Sequence, residues 1–246
     1  MIDLGVNLFL ILAALLILPY VLGPVLVYLT VSMPGKYDLE EIPWETFIGE
    51  RSRNFLDLHN QLLDLGFDPV GASHIKSSHG KTYFSLYRHP ERPATASLIT
   101  AESALGPEIL VADFTQRYAD DFYLTVNNMK DASILPESKR RKVYRFADEA
   151  DPASLYVKFN RIIYGLGRHD TAELPAGRVF EYLSKSVEDE MLGMVSTGIA
   201  RLSTSDGKLR FTFRSSCIST WKMLWPLKGI LRRKDLEIAA LASKGF

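Results

Sequence analysis

One cysteine, Cys217, in 246 residues leaves no intramolecular disulfide to hold this chain together, and it removes the Cys-rich zinc patterns as well. Charge of a single sign is missing too. Lys plus Arg and Asp plus Glu both total 29, which argues against a nucleic-acid binder driven by net charge, so nucleic acid is not expected as a partner. No G-x-S-x-G elbow, Walker loop or glycine-rich dinucleotide fingerprint occurs, and no cofactor is expected. The first 35 residues contain no Lys or Arg, so the basic start of a cleaved secretory signal is absent.

What the first 35 residues do contain is an apolar run, Leu8 to Val31, of 24 residues without a charged side chain. At about 1.5 Å per residue it reaches roughly 36 Å, against a hydrocarbon core of about 30 Å. Residues 1–33 therefore read as a single transmembrane anchor, kinked near Pro19 to Pro24. Lys36, Arg51 and Arg53 lie on its C-terminal side and no basic residue on the other. That asymmetry favours a cytoplasmic domain on a single-pass cell-membrane protein, with a periplasmic or extracellular domain as the alternative.

The remaining roughly 210 residues suffice for a proper core. Residues 34–48, with two prolines, a glycine and little apolar periodicity, read as a juxtamembrane linker. Residues 49–148 read as a helix plus antiparallel sheet. Phe55, Leu58, Leu62 and Leu65 recur at helical spacing before Gly66, and alternation then takes over around Tyr83 to Tyr87, Leu110 to Phe114 and Phe122 to Val126. Short turn-rich links imply a meander of four or five strands.

Residues 149–246 read as a helical part. A helix capped by Asp151 with Pro152 at its opening position buries Leu155, Phe159, Ile162, Ile163 and Leu166. A second runs from about Pro175 to Val195. A hairpin from Ala200 to Phe213 turns at Asp206-Gly207, with Leu209, Phe211 and Phe213 inward. The fold class is α+β: an N-terminal transmembrane helix, a helix, an antiparallel meander, two helices, and a C-terminal hairpin with an amphipathic segment.

That last segment, TWKMLWPLKGILRRK, places Trp221, Lys222, Trp225, Lys228, Arg232 and Arg233 along one side. Tryptophan beside basic residues is the composition of an interfacial helix on anionic lipid; the competing reading packs Trp221 and Trp225 into the core. A second basic run is Lys139, Arg140, Arg141 and Lys142.

Candidates for chemistry are His74, His79, Asp113 and Asp121, and no metal site is expected. The histidine spacings match no closed zinc pattern, and aspartates at a strand turn serve the backbone as readily as a reaction. Two functional readings follow. The leading one is a membrane-anchored, non-catalytic interaction or ligand-binding module, in its fuller form a subunit of a membrane complex, with membrane, anionic lipid and a membrane protein as partners. The alternative is a membrane-bound hydrolase or transferase acting on a lipid or envelope substrate; it requires the candidate side chains to converge in one cleft. A further variant, a small-ligand sensor, requires an internal cavity lined by Tyr83, Phe114 and Phe122.

Overall fold

The computed structural model describes residues 2–35, 39–77, 80–103, 107–130, 140–173 and 179–243. In chain order they form α1 (Ile2–Thr30), β1 (Ser32–Met33), β2 (Glu40–Ile42), α2 (Trp44–Gly49), α3 (Arg53–Asp64), β3 (Asp68–Ser77), β4 (Gly80–Arg88), β5 (Ala94–Ser103) and β6 (Ile109–Tyr118). There follow β7 (Tyr123–Asn127), β8 (Arg141–Arg145), α4 (Pro152–Leu166), β9 (Thr171–Ala172), α5 (Val179–Ser196), β10 (Ala200–Leu202), β11 (Leu209–Phe211), α6 (Phe213–Met223) and α7 (Leu227–Ser243). The class is α+β.

The chain divides into two compact units, residues 1–36, 133–136 and 186–231 in one, the rest in the other. This division cuts across the sequential one expected from the sequence, and α5 and α7 each contribute to both units.

In the larger unit, β3 to β7 form the expected antiparallel meander, each strand paired with the next. Three further strands join it, the two-residue β9 by pairing antiparallel with β6. Short β2 pairs with β3, and β8 pairs with β7 in parallel, Tyr123 opposite Arg141 and Asn127 opposite Arg145. A parallel neighbour needs a long connection, and residues 128–140 supply one.

Helices α3 and α4 start where the sequence provides caps. The Ser52 hydroxyl accepts from the Phe55 amide, and the Asp151 carboxylate accepts from the Ala153 and Ser154 amides. They end at Gly66 and Gly167, whose φ of 84° and 63° suits a residue without Cβ. Their apolar stripes cover one face of the sheet: Phe55, Leu62, Leu155, Tyr156, Phe159 and Ile162 meet Tyr87, Leu98, Phe114, Leu124 and Val126. Each such buried side chain contributes about 1.5–3 kcal/mol before ordering costs. Leu166, expected in that stripe, is exposed at the last turn.

Residues 34–48 are not simply a linker. They hold β2 and most of α2, and Phe47 is buried against Phe55 and Tyr83. A three-residue strand and a six-residue helix are too short to leave a periodicity, so the prolines and charges dominated the reading.

In the smaller unit β1, β11 and β10 form a three-stranded antiparallel sheet, its hairpin turning at Gly207 with φ 64°. Leu209 and Phe211 are buried as expected; Phe213 is 54% exposed instead, because the strand ends at Phe211 and Phe213 opens α6. The C-terminal amphipathic segment is likewise not one helix: α6 ends at Met223, Leu224 to Pro226 turn the chain, and α7 begins at Leu227. Among the described residues no helix is long and apolar enough to cross a membrane, so the expected transmembrane span is not shown.

Candidate functional site

Two places carry more chemistry than packing requires, one in each unit. The first is the sheet face away from α3 and α4. Strand alternation puts Asp113, Thr115 and Arg117 of β6 on it, and the register sets them opposite Asn127, Thr125 and Tyr123 of β7. The Thr115 hydroxyl donates to the Asp113 carboxylate at 2.9 Å and also lies 2.9 Å from the Thr125 hydroxyl. Burial pushes the Asp113 carboxyl up, while hydrogen bonds from Thr115 and Asn127 and the Arg141 cation pull it back.

At the other end of this row, Arg117 donates to Asp121 at 2.7 Å and lies 4.8 Å from the centre of the Tyr182 ring of α5. The Tyr123 and Tyr182 hydroxyls are 2.5 Å apart. Burial and the Tyr123 neighbour push the Tyr182 phenol above its ordinary value. Phe180, two residues earlier on α5, lies over Gly71, where a Cβ would come within 2.9 Å of its ring. The row is a chain of polar contacts in which the Arg117 Nε is buried without a hydrogen-bond partner among the described residues.

The candidate side chains do not all meet. Asp113 and Asp121 share this row at opposite ends. His74 lies on the other face of the sheet, in register with Tyr83, and its Nε2 is 3.4 Å from Glu40. His79 lies outside the described residues. Among the described residues no group of three or more His, Cys, Asp or Glu converges for a metal.

The basic run is partly absorbed by the fold. Lys139 lies outside the described residues, Arg140 is exposed, Arg141 stands 5.6 Å from the Tyr123 ring centre, and Lys142 reaches the Tyr144 ring of the same strand.

A cleft of about 290 Å³ opens elsewhere in this unit, lined by Arg92, Gln116, Phe159, Asn160, Arg168 and His169 among others. Arg168 is already held by Asp120 and Asp170, which raise its pKa and lower theirs. Sequence reading gave no signal for this cleft, since its residues come from four separate segments. Where a cavity lined by Tyr83, Phe114 and Phe122 was expected, Phe114 is fully buried, with rings of Phe67, Tyr156 and Phe159 within 6 Å.

The second place is α6 in the smaller unit. Thr212 caps it, its hydroxyl accepting from the Ser215 amide. Its buried side chains are Ser215, Ser216, Ser219 and Thr220, while Phe213, Ile218, Trp221 and Met223 are exposed. It packs on α1, running antiparallel to it: Tyr28 meets Phe213 edge to face, Gly23 meets Thr220, and the Trp221 indole N–H donates to the Tyr20 carbonyl at 3.2 Å. Trp221 is 43% and Trp225 82% exposed, so the reading that packs both into a core is overturned. Lys222 is half-buried in the last turn of α6, and Lys228 is exposed in the first turn of α7.

Arg232 and Arg233, grouped with these by sequence, belong to the larger unit, where Arg232 pairs with Asp148 and Arg233 with Glu237. Cys217 is free and half-buried. No family model matches this chain, and neither a curated protein nor a solved structure does.

Proposed function

We propose that this chain is a membrane-anchored, non-catalytic interaction or ligand-binding module, serving as a subunit of a membrane complex, with α1 as its single anchor and its folded part on the cytoplasmic side. The observation that carries the reading is the uncharged run Leu8 to Val31. A water-facing helix would dissolve one face with charges, and residues 8–31 offer none. Leu15, Leu16, Ile17, Leu18, Val21, Leu22, Leu26 and Leu29 are all exposed on it, which is a costly surface in water and an ordinary one in lipid. Tethering raises the effective concentration of a module near its partners without a new contact.

The catalytic alternative has less support. His74 and Asp113 stand on opposite faces of one sheet, and His74 is in register with Tyr83 while Asp113 is opposite Asn127.

Alkaline carbonate extraction of membranes from a host expressing the full chain is the direct test. The chain is expected to stay with the membranes and a version lacking residues 1–35 to leave them; release of the full chain would sink the anchor. Protease access to a C-terminal tag in sealed vesicles reads the side. Affinity purification from gently solubilised membranes then looks for a stoichiometric partner, and a partnerless chain would count against the complex-subunit role.

A further inference from the structure

At the C-terminal end of α4 the larger unit opens a cleft whose floor follows from strand register. Ala94, the first residue of β5, stands opposite Gln116 of β6, and both are buried, as is Phe159 of α4. Ala94 offers only a methyl where a larger side chain would fill the sheet surface. Phe159 and Ile163, one turn apart on α4, line the hollow that results.

The opposite wall is held in place. Gly167, at φ 63°, turns the chain out of α4, and β9 returns it to the end of β6, Thr171 opposite Tyr118. Between them Arg168 pairs with Asp120 and Asp170, and its guanidinium carbon lies 4.4 Å from the centre of the Tyr118 ring. The Ala119 amide donates to the Asp170 carbonyl at 2.8 Å. A wall tied at this many points is preformed, the ordinary condition of a small-molecule site.

Size limits the occupant. An apolar cavity of about 150 Å³ holds benzene. This cleft has about 290 Å³, at the low end for small-molecule sites. A ring or a short branched chain with one polar head fits, and a long acyl chain does not.

Charge selects the head. Among the described residues Arg92, Arg168 and His169 line the cleft and no Asp or Glu does. Arg168 is engaged by Asp120 and Asp170 from outside the lining. Arg92 is exposed, donates to the Tyr156 hydroxyl at 3.2 Å, and pairs with no carboxylate among the described residues. Its charge persists at every accessible pH, and the rest of its planar fork is open to a carboxylate, the partner that fork matches with two parallel N–H groups.

We infer that this cleft binds a small monocarboxylate with an apolar body, the carboxylate on Arg92 and the body against Phe159 and Ile163. It gives the ligand-binding form of the reading above a place. The cleft lies wholly in the larger unit, so it stands whether or not α1 is an anchor.

The probe is 4-fluorobenzoate, with 4-fluorobenzamide as a neutral counterpart of the same shape. Fluorine NMR follows each against the full chain in a neutral maltoside detergent, with protein-free micelles as the baseline. The acid is expected to broaden saturably and the amide to bind about tenfold more weakly, the loss of one charge-assisted contact. R92Q should bring the acid down to the level of the amide, and R92K should keep part of the preference. N160F, which enlarges a half-buried lining residue, should weaken both probes; thermal unfolding midpoints matching the parent show that the variants fold. Broadening that is absent or does not saturate, acid and amide bound alike, a preference that survives R92Q, or unchanged binding in folded N160F overturns the site. Carbonate extraction reads the anchor separately: a released chain that binds the acid sinks the anchor alone, and a retained chain that does not bind it sinks the site alone.

Discussion

Trp221 donates its indole N–H to the carbonyl of Tyr20, 201 positions earlier in the chain, and that carbonyl is the one whose helical partner Pro24 removes. A proline inside α1 and a tryptophan on α6 are thus two halves of one hydrogen-bonding arrangement. Pro24 itself is buried.

W221F should therefore destabilise the smaller unit by about 1 kcal/mol, the ordinary net worth of a hydrogen bond. In a P24A background, where residue 24 regains its N–H, the same change should cost much less. A double-mutant cycle read by thermal denaturation in detergent checks this; strictly additive costs would show that indole and proline are independent.

Gly23 meets Thr220 so closely that a Cβ would lie 2.5 Å from Thr220 Cγ2. G23A should cost about 1–3 kcal/mol through overpacking, and T220S, which deletes that methyl, should return most of it. Chemical denaturation of the three variants decides the matter. A G23A chain as stable as the parent would mean the helices separate freely.

Asp113 titrates above the ordinary carboxylate range because it is buried, despite Thr115, Arg141 and Asn127. Its folded form binds a proton more tightly than its unfolded form, so stability falls as pH rises from the unfolded pKa through the raised folded one. D113N should accordingly gain on the parent at neutral pH and lose that advantage on acidification. Denaturant midpoints at acid and neutral pH measure it. An advantage of equal size at both would point to packing instead of charge.

Asp206 shows the opposite sign. Hydrogen bonds from Ser203, Arg210 and the Lys208 amide hold its carboxyl at about 2. The hairpin stabilisation it provides is complete above the usual carboxylate range and is lost as pH falls toward about 2. D206N should be less stable than the parent at neutral pH and converge with it in acid; a gap that persists in acid would assign the effect to turn geometry.

How much of this was legible differs by element. α3 and α4 could be read because Ser52, Asp151, Gly66 and Gly167 punctuate long periodic stripes, and the β10–β11 hairpin because Asp206-Gly207 is a strong turn signal. β2 and α2 were hidden by their shortness. The parallel pairing of β8 depends on how a long connection closes, which no local pattern encodes. α6 was hidden because its first half, Phe213 to Ser219, has hydroxyls where an apolar stripe would announce a helix, so the amphipathic segment was read only from Thr220 onward. The Asp113 to Tyr182 row joins β6, β7 and α5, and only register brings it together.

The smaller unit draws on residues 1–36 and 186–231, and this imposes an order on its birth. A ribosome adding about 5–20 residues per second needs roughly 10–40 s to travel from Tyr20 to Trp221. For that whole interval α1 exists with its proline gap open and its Gly23 groove empty. A nascent chain paused anywhere in the larger unit would present that unfinished helix to whatever stands near the exit tunnel, making it the stretch where a chaperone or insertion factor has longest to act.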